Sequence, residues 1–230
     1  MKRSTLAFYL TVLAASLCAT AAPASAIFRI TEVYTGITGE DGTPDWIEVT
    51  NFGDMDGDTG VLFYDDESLE VIPEAQLPSI LLSPGESAVF LVTDDASFAS
   101  IREFLTIWGT GVTNVGFVPD GGGLSQNGDT AAILLADGTV VSSVSFPPLP
   151  SSNTATIQPV PQLGLSILGE RGAFESNPFF NDNIGTGDEG MEMITLVGSP
   201  GLYVPVPEPA SALLAVLAGV GGVAGARRRK

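Results

Sequence analysis

The segment Asp54-Met55-Asp56-Gly57-Asp58-Thr59-Gly60 sets three carboxylates at alternate positions on a glycine-containing turn. Such an arrangement can converge on a hard cation, and calcium takes about six to eight oxygen ligands of this kind. Asp65 falls at the twelfth position counted from Asp54, where an EF-hand loop has its last ligand. Asp54, Asp56, Asp58 and Asp65 are therefore candidate calcium ligands. Thr59 stands where the EF-hand needs glycine, and no helices are predicted on either side. The competing reading is a solvated hairpin loop in which Asp and Gly serve the turn.

Other chemistry is scarce. The chain has no histidine, which removes the commonest general base and the commonest transition-metal ligand together. Its one cysteine, Cys18, lies in an N-terminal segment read below as a removable leader, so the body has neither a disulfide nor a thiol nucleophile. Phosphate-binding loops, a GxSxG elbow and Cys/His metal patterns are missing. Acidic residues abound, but nothing in their spacing singles out a pair for glycoside hydrolysis. Trp46 and Trp108 are sugar-stacking candidates, with core packing as the simpler alternative. The sequence therefore reads as non-catalytic.

Charge separates the ends from the middle. The chain holds 27 acidic and 9 basic residues, and six of the nine sit at the extremes: Lys2, Arg3, Arg227, Arg228, Arg229 and Lys230. Residues 27–207 keep only Arg29, Arg102 and Arg171 against 26 acidic residues, a net of −23. A surface this negative repels nucleic acid and suits cations, basic partners or simple solubility.

Residues 1–26 have the three parts of a secretory signal: Lys2 and Arg3, an apolar run over 6–17, and Ala24-Ser25-Ala26 as a small-residue cleavage site. Cleavage is expected after Ala26. Leu17 before Cys18 argues against a lipoprotein signal. At the other end, Val206-Pro207-Glu208-Pro209 is followed by 17 uncharged residues, 210–226, and then by Arg227, Arg228, Arg229 and Lys230. As a helix the uncharged stretch would be about 25 Å long, the short end of what spans a bilayer. The basic cluster after it favours a cytoplasmic C-terminus.

This tail resembles the PEP-CTERM sorting domain of Gram-negative-type bacteria. The resemblance implies recognition by an exosortase, which cuts near the motif and passes the protein to the surface or extracellular matrix. The expected route is export through the secretion translocon, a transient membrane stop, and then the cell surface.

Between the ends, short runs rich in Val, Ile, Phe and Thr alternate with Gly, Pro, Asp and Asn, the pattern of an antiparallel β-sandwich. Strands are predicted over 28–34, 45–50, 61–64, 87–93, 130–135 and 139–146. Asp137-Gly138 is a hairpin signal. Alternation puts Ile47 and Val49 on one strand face, Trp46 and Glu48 on the other. Phe98, Ile101, Phe104, Leu105 and Trp108 follow helical spacing, with Ser97 or Asp95 as cap and Gly109 as stop. The helix is expected to cross one end of the sandwich. The Pro-rich stretch 147–162 is expected to be loop or an edge strand near 155–157, and the polar stretch 176–190 to be mobile.

Five segments resemble, in order, the lamin-tail domain: Ile30-Thr31-Glu32-Val33, Asp45-Trp46-Ile47-Glu48-Val49-Thr50-Asn51, Leu82-Ser83-Pro84-Gly85-Glu86-Ser87, Gly123-Leu124-Ser125-Gln126-Asn127-Gly128-Asp129 and Gly198-Ser199-Pro200-Gly201. That family implies an immunoglobulin-like sandwich over 27–203, used for structural contacts and binding. The expected organisation is a signal helix (1–26), this all-β domain with one short helix, and a sorting tail (204–230) with a transmembrane helix. The expected function is a non-catalytic surface or matrix protein with an adhesive or structural role in the envelope or biofilm. The alternative is a calcium-dependent module binding surface polysaccharide or protein.

Overall fold

The computed structural model describes residues 24–36, 44–93, 98–119, 122–150, 154–181 and 192–204. The expected leader helix, the sorting motif 206–209, the span 210–226 and the basic cluster 227–230 lie outside these residues, as do the helix caps Asp95 and Ser97. Among the described residues no helix is long and apolar enough to cross a membrane.

The strands are β1 (Phe28–Tyr34), β2 (Asp45–Asn51), β3 (Gly57–Asp58), β4 (Leu62–Asp65), β5 (Leu81–Leu82), β6 (Ser87–Val92), β7 (Val115–Val118), β8 (Asp129–Leu135) and β9 (Val140–Phe146). Six short ones follow: β10 (Ile157–Gln158), β11 (Gly164–Leu165), β12 (Phe174–Glu175), β13 (Phe179–Asn181), β14 (Glu192–Ile194) and β15 (Val197–Gly198). One helix, α1 (Phe98–Trp108), joins β6 to β7. The main sheet has the order β11-β10-β1-β2-β6-β7, and a second sheet has the order β4-β8-β9. The expected all-β sandwich with one short helix is thus present.

The two sheets enclose the larger core, in which Ile30, Val33, Ile47, Val49 and Phe90 meet Leu62, Tyr64, Ile133, Val144 and Phe146. β9 behaves as its sequence asks: Val144 and Phe146 point inward while Ser143 and Ser145 face out. β2 and β6 differ, being buried along almost their whole length. Their second face carries Trp46, Val89 and Leu91, and these pack against Phe104, Ile107 and Trp108 of α1.

Helix α1 therefore covers the back of the main sheet rather than crossing one end of the sandwich. Two apolar faces on one strand demand two covering layers. The apolar stripe Ile101, Phe104, Leu105 and Trp108 supplies the second layer, with Arg102, Glu103 and Thr106 turned outward. Gly109, at φ +91°, ends the helix and donates its N–H to Leu105 O at 2.9 Å. Trp46 sits at the centre, edge-on to Phe104 and Trp108 with ring centroids 5.9 Å away in each case. Both tryptophans are core residues, not sugar platforms.

Three other expectations are corrected. The sandwich is not wholly antiparallel, because β6 and β7 run parallel, a pairing that needs a crossover, which α1 supplies. The Pro-rich stretch yields β10, which is no edge strand: β1 lies on one side of it and β11 on the other. The start of the polar stretch is ordered, since β13 pairs with β14 from Phe179↔Ile194 to Asn181↔Glu192, while residues 182–191 lie outside the described set. The Asp137-Gly138 turn is as expected, with Gly138 at φ +83° and Leu135 N–H bonded to Thr139 O at 2.9 Å.

If the helix is part of one cooperative core, Phe104→Ala should cost about 3–5 kcal/mol in urea unfolding. Thr106→Ala, on the exposed face of the same helix, should stay within about 0.5 kcal/mol. Equal effects of the two would detach the helix from the core.

Candidate functional site

The four candidate calcium ligands are placed separately. Asp54 is exposed and accepts Ser25 N–H at 2.7 Å. Asp56 is exposed. Asp58 caps the single-turn helix Thr59–Val61, taking Gly60 N–H on Oδ1 at 2.9 Å and Ser79 Oγ–H on Oδ2 at 2.8 Å. Those two donors hold its carboxyl below the usual aspartate value. Asp65 is buried in β4 and organises the turn after it, accepting from Ser68 Oγ at 2.8 Å and from Leu69 N at 2.6 Å. Among the described residues no three acidic groups converge on a common point suited to a metal ion. The geometry is that of turn chemistry, with each engaged carboxylate serving nearby donors.

The same turn receives the predicted cleavage region. Ser25 O accepts Asp54 N–H at 3.1 Å, and Ile27 O accepts Phe52 N–H at 2.6 Å. A Cβ on Gly53 would stand 2.0 Å from Ser25 O, so only glycine lets residues 25–27 lie here. Ala26 packs beside Gly57, and Ala24 is exposed.

The charged groups most deeply involved in the fold are ones that spacing did not single out. Glu32 and Glu48 are cross-strand partners on β1 and β2, and both are buried, at 0% and 1% exposure. A bulge between Ile30 and Glu32 places Glu32 opposite Glu48, one step from the Tyr34–Trp46 pair. Both carboxyls therefore face the α1 side of the sheet, between the aromatic cluster and a set of hydroxyls.

Glu32 Oε1 accepts Ser199 N–H at 2.8 Å and the Thr156 hydroxyl, and Glu32 Oε2 accepts Ser199 Oγ–H at 2.9 Å. Gln158 Nε2 donates to Ser199 Oγ at 2.8 Å. Glu48 Oε2 accepts Gly201 N–H at 2.6 Å, and Glu48 Oε1 accepts Thr31 Oγ–H at 2.6 Å. Behind Thr31 the contacts continue to Thr50 at 2.8 Å and on to Ser87 at 2.7 Å. Each hydroxyl has one proton, so donation from Thr31 to Glu48 aligns the row from Ser87 through Thr50 to Thr31.

The closing segment is shaped to supply these donors. Ser199-Pro200-Gly201-Leu202 forms a turn with Leu202 N–H on Ser199 O at 2.9 Å and Gly201 at φ +77°. Proline second and a positive-φ glycine third is the type II arrangement. Ser83-Pro84-Gly85-Glu86 repeats it, with Gly85 at φ +83° and Glu86 N–H on Ser83 O at 2.9 Å. Gly198 has no room for a side chain, since a Cβ would lie within 2.9 Å of Thr156, Glu32 and Trp108.

Burial pushes both carboxyls up. For Glu48, desolvation and then the neighbouring Glu32 raise the value to about 8, against the lowering pull of Thr31, Gly201 and Leu202. Desolvation also raises Glu32, opposed by Thr156, Ser199 and Ser166. The arrangement can hold a proton near neutrality inside the protein. A sequence signal existed: Glu48 shares a strand face with Trp46, so a buried face implies a buried glutamate.

The chain matches no protein-family model and no curated protein.

Two outcomes follow. In the unfolded chain a glutamate loses its proton near its ordinary value of 4.5, whereas folded Glu48 keeps it to about 8. Between those limits the folded state binds more protons, so stability is full below the lower value and is lost as pH rises toward the upper one. The slope should approach roughly 1 kcal/mol per pH unit, and Glu48→Gln should flatten it in urea titrations. No histidine titrates there, and what slope remains in Glu48→Gln belongs to Glu32, which the same burial raises. Separately, calcium and EDTA should give the same melting temperature, while Asp58→Ala lowers it by the same amount in both, through loss of the cap.

Proposed function

We propose that this chain is an exported, non-catalytic surface or matrix protein. Its body is an immunoglobulin-like, lamin-tail-like sandwich with a structural or adhesive role, and its tail is a substrate for exosortase sorting. The observation that carries this reading is the ordered run of Val206-Pro207-Glu208-Pro209, the uncharged residues 210–226 and the basic cluster 227–230. A glutamate between two prolines suits the extended backbone that a membrane protease reads, and an apolar run of this length suits a halt in the bilayer.

Support for the body's role comes from how its motifs meet. Glu32, Glu48 and Gly198-Ser199-Pro200-Gly201 come from three of the five lamin-tail-like segments, and they bond to one another in the interior. Ser87, from a fourth segment, ends the hydroxyl row, and Leu124, from the remaining one, donates its N–H to Asp45 at 2.7 Å. Motifs that hold each other in place suit a module whose exposed surface does the binding. The most strongly shifted carboxyls are inside and held by the protein's own donors, which favours binding over catalysis.

The test is the mass of the mature chain from cells with and without a functional exosortase. With the enzyme, the product is expected to begin at Ile27 and to end near residues 206–209. Without it, or with Glu208→Ala, the product should retain residues 210–230. A tail kept in the presence of active exosortase would sink the sorting reading.

A further inference from the structure

The two ends of the described body leave from one pole. Ile27 O accepts the N–H of Phe52, and the ring of Tyr203 packs on that of Phe52 with centroids 4.7 Å apart. The residue following the predicted cleavage point and Tyr203, just before the sorting motif, thus both meet Phe52, one at its backbone and the other at its ring. From Val204 the chain has five residues, 205–209, before the uncharged stretch starts at 210. Fully extended, that reach is at most about 20 Å, which keeps this pole close to the headgroup layer whenever residues 210–226 are inserted.

The pole has the composition of a surface that meets lipid. Two of the three basic residues of the body are here. Arg29 lies 5.1 Å from the centre of the Phe52 ring, and both Arg29 and Arg171 act on the Tyr203 phenol. Neither guanidinium meets a carboxylate among the described residues: Arg171 is turned to the carbonyls of Val160 and Gln162 at 3.4 Å. Beside them a cleft of about 440 Å³ is lined by Leu163, Leu165 and Ile167 together with Arg171, Glu170 and two glutamines, Gln158 and Gln162. Its apolar members are open to solvent, with Ile167 57% and Leu163 44% exposed. Leu202 and Val204, also exposed, pack over Gly172 next to Arg171.

The Asp54–Asp58 turn shares this end, so the pole as a whole is not basic. What it offers is two cations without carboxylate partners set among a tyrosine and apolar side chains, the mixture found where proteins meet the membrane interface. The strongly acidic body would not seek phosphates from solution. A tail already in the bilayer makes the encounter intramolecular, and weak contacts then suffice.

We propose that the pole formed by Arg29, Phe52, Ile167, Arg171, Leu202 and Tyr203 docks on phospholipid headgroups and stands the body upright on the bilayer while its tail is inserted. The proposal rests on the reading of residues 210–226 as a membrane span. Because both ends leave from this pole, the orientation is the same before and after removal of the leader.

The test uses the full chain carrying Cys18→Ser in vesicles of phosphatidylethanolamine and phosphatidylglycerol. A fluorophore is placed on Ile167→Cys or on Asn127→Cys. Asn127 is exposed at the opposite end, where Gln126 donates to Gly36 O beyond the end of β1. A nitroxide on the lipid headgroups is expected to quench the label at 167 at least about twofold more than the label at 127. Arg29→Gln with Arg171→Gln should remove the difference, and Arg29→Lys with Arg171→Lys should keep most of it, all variants being matched for melting temperature. Equal quenching on vesicles that carry the chain overturns the docking alone. A difference that survives the double Gln variant overturns the role given to the guanidiniums. If the chain does not float with the vesicles, the span reading fails and the docking falls with it.

Discussion

Two carboxyl groups buried side by side constrain everything around them. Removing one charged group from water costs several kcal/mol, and a like neighbour adds to that cost. The protein meets the demand in two ways: the fold retains a proton that glutamate ordinarily loses, and it surrounds the pair with donors. Thr31, Thr50 and Ser87 serve Glu48 from within the sheet, while Thr156, Ser166 and Ser199 serve Glu32 from segments far along the chain. Glu32 and Ser199 are 167 residues apart, so the strand that begins the fold is satisfied only when the last turn arrives. The two ends of the body are thereby made mutually dependent.

The same demand accounts for the layering. Polar groups cannot face lipid-like packing on an open sheet, and an apolar back face cannot face water, so β1 and β2 need a cover that is polar at one end and apolar at the other. Helix α1 covers the Trp46 end. The turns and short strands of residues 154–181 and 192–202 cover the glutamate end, through β10 beside β1 and through β15 paired with β12. Trp108 links the two halves of this cover, lying edge-on to both Trp46 and Phe174 at 5.9 and 5.8 Å.

Much of the fold was legible in the sequence. The alternation of β9, the Asp-Gly turn before it and the helical spacing of Phe104, Leu105 and Trp108 are local signals, and local structure obeyed them. The position of the helix is not written in α1 alone: it follows from β2, whose Trp46 and Ile47 point to opposite faces and are both fully buried. Strands β10 to β15 are two or three residues long, too short for any periodicity to announce them. The Asp54–Asp58 turn is the opposite case: a ligand-like spacing in which Asp54 and Asp58 accept from Ser25, Gly60 and Ser79. Glu32 and Glu48 were visible only as members of strands, because the bulge that aligns them is a feature of pairing rather than of composition.

The turn at Ser199–Leu202 has a mechanical meaning. Any pull applied at residue 204 enters the body through Tyr203 and Leu202 and reaches the Ser199 and Gly201 contacts with Glu32 and Glu48 almost at once. Those contacts lead straight into the middle of the main sheet, between β1 and β2. Tension is therefore passed to the most deeply buried part of the molecule and not to a peelable edge. Hydrogen bonds to buried carboxyls, short and shielded from competing water, are the fastening that such a force would have to break first.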